Sequence, residues 1–215
     1  EYLKQTLAYS DKVSFITGWA AKFLGYEIDN VRYKVDLLRP PAIFYQHTKI
    51  KNRSDNSQKK VRIITHHWSN NPLKGFDFYA EIDEMLNDRK DLEFLYIGRT
   101  PSNFKTKNIK VIDPIETLEI IEYLRSADVY VTASKFETGG NHVVEAMACG
   151  LPVLYHESGG GICELCLKSG IAYKNILEFK NGLDAIKSFK YDKKFEGTLE
   201  KTCNNYIDML ESLCK

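Results

Sequence analysis

Apolar residues along this chain follow two spacings that alternate from one end to the other. Short runs rich in β-branched residues, such as Val61 to Thr65 and Val129 to Ala133, are separated by longer segments with apolar residues every three or four positions. The short runs are typical of buried strands and the longer segments of amphipathic helices. Strands that alternate with helices form a parallel sheet through crossover connections. The pattern therefore predicts an α/β fold with a parallel sheet and helices on both faces.

The same spacings predict individual elements. The predicted strands are 12–17, 33–38, 61–65, 92–97, 110–112, 129–133 and 151–155. The predicted helices include 18–24 and 115–124, and the apolar positions of the latter include Leu118, Ile121 and Leu124. Another helix has Phe76, Tyr79, Ile82 and Leu86 on one face, and another has the apolar stripe Val143, Val144, Met147 and Ala148. A further helix is opened by 159–161. A terminal helix over 199–213 carries Tyr206, Met209, Leu210 and Leu213 on one stripe, which we expect to pack on the rest of the protein.

One polar stretch interrupts these spacings. Residues 52–60, NRSDNSQKK, have no apolar periodicity, which is typical of a linker. We place a domain boundary there. The longest apolar runs are a few residues, far below the about 20 needed to span a bilayer, so we expect a soluble protein. The chain begins Glu1-Tyr2-Leu3-Lys4 without an initiator Met or a signal peptide, and we expect it to be part of a longer polypeptide.

Charge and cysteine content narrow the possible partners. Lys and Arg number 30 against 29 Asp and Glu, so no overall field favours nucleic acid. The five cysteines are odd in number and lack the spacing of a disulfide framework, which favours a reducing cytoplasm. Cys163 and Cys166 form a CxxC without a second pair, so we interpret them as ordinary helix cysteines and not as metal ligands.

The stretch from Glu137 to Gly150, ETGGNHVVEAMACG, follows a predicted strand and leads into a predicted helix. In open parallel sheets, ligands bind beyond the carboxyl ends of strands, at helix N-termini. Backbone N–H groups of Gly140, Asn141 and His142 at such a helix start would form an anion site suited to phosphate.

Glu145 adds a carboxylate to this anion site. His142 and Glu145 are three residues apart and turn away from the apolar stripe, so Glu145 faces either a crevice or solvent. In a crevice, it would accept hydrogen bonds from the vicinal hydroxyls of a ribose or another sugar. The alternative is a solvated surface Glu.

These residues resemble a known family. Glu137 and Glu145, with seven residues between them and followed by AMACGLPV at 146–153, resemble the EX7E motif and the EAMACGxPV signature of family 4 retaining glycosyltransferases. Further similar segments are Ser126 to Val131 with Ser134, the GGICE turn at 160–164, the Lys74-Gly75 pair, and the terminal helix over 199–213. Apart from that helix, the resemblance covers roughly residues 61 to 170.

The resemblance implies a GT-B fold, in which two Rossmann-like domains face a cleft and the C-terminal one holds the nucleotide sugar. Residues 1–51 would then be the terminal strand–helix part of an N-terminal, acceptor-side domain, and 52–60 the linker. Residues 61–195 would be the Rossmann-like nucleotide-sugar-binding domain, and 196–215 the C-terminal helix.

The resemblance also implies roles for single residues. Lys74 would neutralise the donor diphosphate, and the amides of Gly140, Asn141 and His142 would assist at the phosphate or sugar. Glu137, the catalytic candidate, would bind the hydroxyls of the transferred sugar, and Glu145 would hold the ribose. The chain has no DxD-type motif, so we expect a nucleoside-diphosphate sugar as donor substrate with no metal and no cofactor.

Two departures from the family pattern affect this site. The usual arginine before the lysine is missing from the segment HHWSNNPL at 66–73. Either a histidine of this segment, such as His67, or Arg99 at the end of a neighbouring strand is a candidate to replace it, and the alternative for the histidines is a polar loop. Gly139 and His142 stand where the family has bulkier apolar residues, which indicates a more open loop.

The expected function is retaining transfer of a sugar from a nucleoside-diphosphate sugar to a glycan or lipid-linked acceptor, as in polysaccharide biosynthesis. The chain alone would bind donor and turn over poorly, because a GT-B cleft needs both walls. We expect a cytoplasmic enzyme, and the resemblance leaves open a peripheral contact with the cytosolic face of a membrane. A related nucleotide-sugar epimerase and a nucleotide-binding module without chemistry are the alternatives. The sequence does not indicate which base, sugar or acceptor is used.

Overall fold

The computed structural model describes residues 2–27, 33–45, 60–167, 169–186 and 199–214. Its strands are β1 (Val13–Phe15), β2 (Tyr33–Val35), β3 (Val61–His67), β4 (Leu92–Gly98), β5 (Ile109–Ile112), β6 (Val129–Thr132), β7 (Val153–His156) and β8 (Gly170–Tyr173). Its α-helices are α1 (Tyr2–Ala8), α2 (Gly18–Phe23), α3 (Phe76–Met85), α4 (Thr117–Ser126), α5 (Asn141–Ala148), α6 (Gly161–Cys166), α7 (Ile176–Ile186) and α8 (Leu199–Glu211). Short 3₁₀ turns lie at Ala42–Phe44 and Pro72–Lys74.

Six strands form one parallel sheet in the order β5-β4-β3-β6-β7-β8. Helices cover both faces because the buried side chains alternate along the strands: Ile63 packs in the cluster with α3 and α7, whereas Ile64 packs in the cluster with α4, α5 and α6. The predicted α/β fold is confirmed. The chain runs outward from β3 to β5, and then returns to place β6 on the other side of β3. The carboxyl ends of β3 and β6 therefore form a topological switch point.

Several predicted elements differ in detail. Strand β3 extends two residues beyond Thr65, to His67. In α4, Ile121 and Leu124 are buried, whereas Leu118 is 61% exposed. The sequence reasoning missed β8, a short edge strand, and α7, whose pattern contains Gly182 packed near Leu154.

The N-terminal part adds a small unit beside the main sheet. Strands β1 and β2 pair in parallel, and Val13, Phe15 and Ala21 form its buried cluster. This unit contacts the main sheet through α2, whose first amides reach the Glu164 carboxylate of α6. The predicted linker lies outside the described residues except for Lys60, so the domain boundary stays a prediction.

Helix α8 does not pack as predicted. Tyr206, Leu210 and Leu213 of its apolar stripe are exposed. Polar side chains make the contacts instead: Asn205 donates to Asp36 at 3.0 Å, and Arg39 donates to Thr202 at 2.9 Å. The expectation of an apolar contact was therefore wrong, because the carboxylate and guanidinium that follow β2 recruit polar partners. Within the described ranges, no helix is long and apolar enough to cross a bilayer.

Candidate functional site

A cleft of about 510 Å³ opens at the switch point, beyond the carboxyl ends of β3 and β6. The loop after β3 and the loop after β6 both line it and contact each other, since the Lys135 N–H donates to the Leu73 carbonyl at 2.8 Å, and the start of α4 forms another wall. The charged and histidine side chains that line it include His66, His67, Lys74, Glu137, His142 and Glu145. The sequence singled out five of these by number as site candidates, and the sixth, His66, lies in the HHWSNNPL segment.

Lys74 reaches the cleft because its turn packs directly on the end of β6. The Asn71 side chain accepts the N–H of Leu73 at 2.9 Å, which begins the 3₁₀ turn. Gly75 follows with φ +81°, and a Cβ there would lie 2.3 Å from the carbonyl oxygen of Ala133. Only glycine allows this approach without strain. The Lys74 ammonium consequently lies 2.6 Å from Glu137 Oε1.

Glu137 is held by backbone bonds on both of its sides. Its N–H donates to Gly159 at 3.2 Å, and its carbonyl accepts from Gly161 at 2.7 Å. The preceding residue, Phe136, has φ +54°, a left-handed conformation that is unusual outside glycine. Oε1 binds Lys74, whereas Oε2 is buried without a hydrogen-bond partner among the described residues. One carboxylate oxygen is thus fixed and the other lacks a donor.

The anion site was predicted at the start of α5. Gly140 is the N-cap residue in an extended conformation, and its carbonyl accepts from Val143 and Val144. Within the described part of the chain, no hydrogen bond occupies the amides of Asn141 and His142. These amides lie at the positive end of the helix dipole. They are able to receive an anion in the same cleft as Lys74.

Two histidines are buried beneath the cleft wall. The rings of His67 and His142 lie 4.7 Å apart, His142 Nε2 is 3.2 Å from Thr132 Oγ1, and His67 Nε2 is 2.9 Å from Tyr79 OH. Burial lowers the pKa of both histidines well below 6.5, and the nearby Lys74 charge adds to this effect. Both imidazoles are therefore neutral near pH 7.

Glu145 faces the cleft, which decides between the two orientations that the sequence left open. Its side chain is 21% exposed, and its Oε2 lies 2.8 Å from His66 Nε2. The sequence reasoning did not distinguish His66 from its neighbour. The signal was present, because side chains alternate along a strand. Ile64 and His66 point to the α5 side, whereas Ile63 and His67 point to the α3 side.

The positions of Arg99 and Gly139 relative to the cleft were not evident from the sequence. Arg99 is exposed and lies outside the cleft lining, with its guanidinium 4.7 Å from the ring centroid of Trp68, which does line the cleft. The expectation of an open loop at Gly139 was wrong on the side that faces the N-terminal unit. A Cβ at Gly139 would lie 2.8 Å from Ile16 Cδ1 and 3.5 Å from Leu38 Cδ2, so the N-terminal unit fills that space.

The sequence reasoning also missed part of the cleft wall. The segment from Pro114 to Thr117, at the start of α4, and Phe44 of the N-terminal part line the cleft. The strand at 110–112 was predicted, and its carboxyl end lies at the same edge of the sheet as the other strand ends. The sequence could therefore have indicated that the segment leading into α4 lines the cleft. In the described part of the chain, no group of three or more His, Cys, Asp and Glu side chains is arranged to hold a metal ion.

Sequence comparison assigns the chain to a family. Residues 60–186, more than half of the chain, match the sequence profile of the family described as glycosyl transferases group 1. The chain belongs to this family. The matched residues contain the whole six-stranded sheet and the candidate residues Lys74, Glu137, His142 and Glu145. No curated protein matches the chain in a sequence search.

Solved structures of glycosyltransferases share the fold. WaaG, a glycosyltransferase involved in lipopolysaccharide biosynthesis, is 18% identical with a TM-score of 0.59, over 83% of this chain and 54% of that one. The catalytic domain of starch synthase IV from Arabidopsis thaliana, bound to ADP and acarbose, is 13% identical with a TM-score of 0.65, over 99% of this chain and 58% of that one. The pneumococcal O-GlcNAc transferase GtfA, in complex with UDP and GlcNAc, is 16% identical with a TM-score of 0.63, over 100% of this chain and 47% of that one.

At these identities, the likeness shows the fold: the parallel sheet and its flanking helices match GT-B glycosyltransferases. The chain spans about half the length of the structures it matches.

Proposed function

We propose that this chain binds the nucleoside-diphosphate sugar in a retaining glycosyltransferase of the EX7E type. Transfer of the sugar to a glycan or lipid-linked acceptor would then involve the second wall of the cleft. A lipid-linked acceptor would be reached at the cytosolic face of a membrane. The observation that carries the proposal is the cleft at the switch point. It combines one ammonium, the free amides of a helix start and two carboxylates.

The diphosphate belongs at the Lys74 end of this cleft. Departure of a nucleoside diphosphate builds negative charge on its oxygens, and positive groups fixed in advance stabilise that charge. Lys74 and the amides of Asn141 and His142 supply such groups. We also assign Arg99 as the second cation in place of the family's missing arginine, because burial keeps His67 neutral and Tyr79 engages its Nε2. This arrangement needs no divalent metal.

The two carboxylates then bind the hydroxyls of the donor. When phosphate draws the Lys74 ammonium, Oε1 of Glu137 loses its present partner, and the carboxylate is able to turn and accept from the hydroxyls of the transferred sugar. The buried and unpartnered Oε2 of Glu137 supports this role, because a carboxylate oxygen enclosed in protein requires a donor. Glu145, on the next turns of α5, accepts from the ribose.

A calorimetric titration of the whole chain with UDP, GDP and ADP, each with magnesium and with EDTA instead, tests the proposal. We expect one diphosphate to bind, with the same affinity in both buffers, and Glu145→Ala to weaken it. Binding that requires magnesium would contradict the metal-free site. No binding by any of the three would remove the donor-site assignment.

Chemistry is tested separately from binding. In a protein that carries the complete cleft, Glu137→Ala should abolish transfer of sugar to acceptor, while diphosphate affinity is retained or rises because Lys74 loses its competing carboxylate. If transfer were unchanged, Glu137 would not take part in the reaction. If the wild-type protein bound donor without transferring the sugar, the reading as a nucleotide-binding module would replace the enzyme.

A further inference from the structure

We infer that His66 is a positioning residue, which holds the Glu145 carboxylate in the orientation that recognises the ribose hydroxyls of the nucleotide. This inference rests on the proposed function, because it concerns the same donor site. It goes beyond that function by assigning a role to a residue of the HHW segment that replaces the family's usual sequence.

The first observation is the contact between the two side chains. His66 Nε2 lies 2.8 Å from Glu145 Oε2, and the His66 side chain is 8% exposed. A carboxylate only accepts hydrogen bonds, so His66 Nε2 carries the proton and donates it. His66 Nδ1 has no hydrogen-bond partner in the described part of the chain. Among the described residues, the His66 ring therefore makes its side-chain hydrogen bond to Glu145.

The second observation is that the backbone of His66 is fixed. The hydroxyl of Tyr130 lies 3.2 Å from both the backbone nitrogen and the carbonyl oxygen of His66, and His66 pairs with Ile97 on β4. The Tyr130 ring also packs edge-on against the imidazole, with centroids 5.5 Å apart. The donor is thus attached to the interior of the sheet, whereas Glu145 lies on a helix at the cleft surface.

The third observation is what this leaves free on Glu145. Its Oε2 is engaged by His66, and its Oε1 has no hydrogen bond to the described residues, on a side chain that lines the cleft. Holding one oxygen fixes the plane of the carboxylate and directs the other oxygen to a ligand. Hydrogen bonds weaken steeply with misalignment, so this fixation affects the ribose and not the more distant diphosphate.

Two substitutions separate the donor from the rest of the histidine. The amide nitrogen of Gln occupies nearly the place of histidine Nε2, whereas that of Asn occupies the place of Nδ1. We therefore expect His66→Gln to retain the bond to Glu145 and His66→Asn to lose it. His156, which accepts the N–H of Ser158 through Nδ1 and lies outside the cleft lining, offers a control in His156→Asn.

The experiment compares each nucleoside diphosphate with its 2′,3′-dideoxy counterpart by calorimetry on the whole chain, starting from whichever of UDP, GDP and ADP binds tightest. A bond between hydroxyl and carboxylate contributes about ten- to hundred-fold in affinity, so wild type should prefer the ribose form by that factor. His66→Asn should reduce the preference several-fold and leave the dideoxy affinity unchanged, and His66→Gln and His156→Asn should retain it.

Three results would overturn the inference. If His66→Asn keeps the full ribose preference while Glu145→Ala loses it, His66 does not position Glu145 and the donor site stands. If His66→Asn weakens the ribose and dideoxy forms equally, its role is structural. If no diphosphate binds wild type, the inference falls together with the proposed function.

A measurement on wild type covers the case in which His66→Asn fails to fold. Long-range ¹H–¹⁵N NMR spectra show which nitrogen of an imidazole ring carries a proton. We expect the His66 proton on Nε2 at neutral pH, and a shift of the Nε2 signal in Glu145→Gln. A ring without a proton on Nε2 would contradict the inference without any variant of His66.

Discussion

Lys74 and Glu137 are 63 positions apart in the chain, and their side chains meet at 2.6 Å. Both are partly enclosed by protein, with side-chain exposures of 16% and 21%. A phosphate ligand has to compete with Glu137 for this ammonium, and the helix-start amides beside it add to the attraction. At the residue scale, Lys74 is therefore the Lys or Arg that lines the described cleft, and the proposed second cation, Arg99, lies outside that lining.

Replacing Lys74 by Met keeps most of the side-chain volume and removes the charge. We expect the affinity for the diphosphate to fall about ten- to hundred-fold, because a hydrogen bond to a charged group contributes about 1.5–3 kcal/mol. Calorimetry measures this directly. Lys135→Met is the control, since Lys135 pairs with the exposed Asp77 and lies outside the cleft lining. Equal affinities for Lys74→Met and wild type would remove Lys74 from the site.

Gly75 controls where Lys74 lies. Gly75 and Gly25 have φ of +81° and +82°, but a Cβ at Gly75 would lie 2.3 Å from Ala133 O, whereas one at Gly25 would meet nothing within 4 Å. We expect Gly25→Ala to cost about 1 kcal/mol of unfolding free energy from conformation alone, and Gly75→Ala at least about 2 kcal/mol more. Chemical denaturation compares the two. Equal losses would mean that the turn moves away from β6 without penalty.

At the element scale, the N-terminus of α2 shows how the small N-terminal unit is attached. The two oxygens of Glu164 accept the amides of Gly18 and Trp19 at 3.0 and 2.9 Å, so a side chain of α6 caps a helix about 145 residues away. Thr17 also donates to the carbonyl of Thr138 in the loop that carries Glu137. The attachment of this unit and the position of the Glu137 loop are therefore linked.

Removing this cap should destabilise α2 and its attachment. We expect Glu164→Ala to lower the unfolding free energy by about 1–2 kcal/mol, the usual contribution of an N-cap carboxylate. Hydrogen exchange should speed up at the amides of Gly18 and Trp19 before it does in the sheet. Glu122→Ala is the control, because Glu122 is exposed and its contact with Arg125 is 3.9 Å long. Unchanged exchange in α2 would show that its packing alone holds it.

At the scale of the whole molecule, the buried histidines couple stability to pH. The pKa values of His67 and His142 lie well below 6.5 in the folded chain because burial disfavours the charged ring. In the unfolded chain both titrate near pH 6.5. The unfolded state therefore takes up protons first as pH falls. Stability is complete above pH 6.5 and declines as the pH drops from there towards the folded pKa values.

We expect the free energy of unfolding to fall by up to about 2.7 kcal/mol per pH unit below pH 6.5, about 1.4 for each of the two buried rings. The half-buried His156, whose pKa is also lowered by burial, adds a smaller contribution. Urea denaturation at pH 7.5, 6.5 and 5.5 measures the slope. His142→Gln keeps a polar atom near Thr132 and should remove about half of it. A slope that His142→Gln leaves unchanged would contradict the assignment.

Much of this protein was determined by its sequence alone. The alternation of short β-branched runs with amphipathic segments predicted the parallel α/β fold, because these spacings reflect which side chains are buried within each local element. The eight-residue offset between Glu137 and Glu145 placed one carboxylate before α5 and one on it, since both positions belong to one continuous turn and helix. Lys74 was identifiable through the Lys74-Gly75 pair.

Tertiary structure decided the features that depend on residues far apart in the chain. His66 faces Glu145 and His67 faces Tyr79 because α5 covers one face of β3 and α3 covers the other. Tyr206 and Leu210 of α8 stay exposed, whereas Thr202 and Asn205 find polar partners among the residues after β2. Ile16 fills the space beside Gly139 because the N-terminal unit, distant in sequence, packs against that loop. Local periodicity shows that a side chain is apolar or polar, but the partner across the fold determines where it lies.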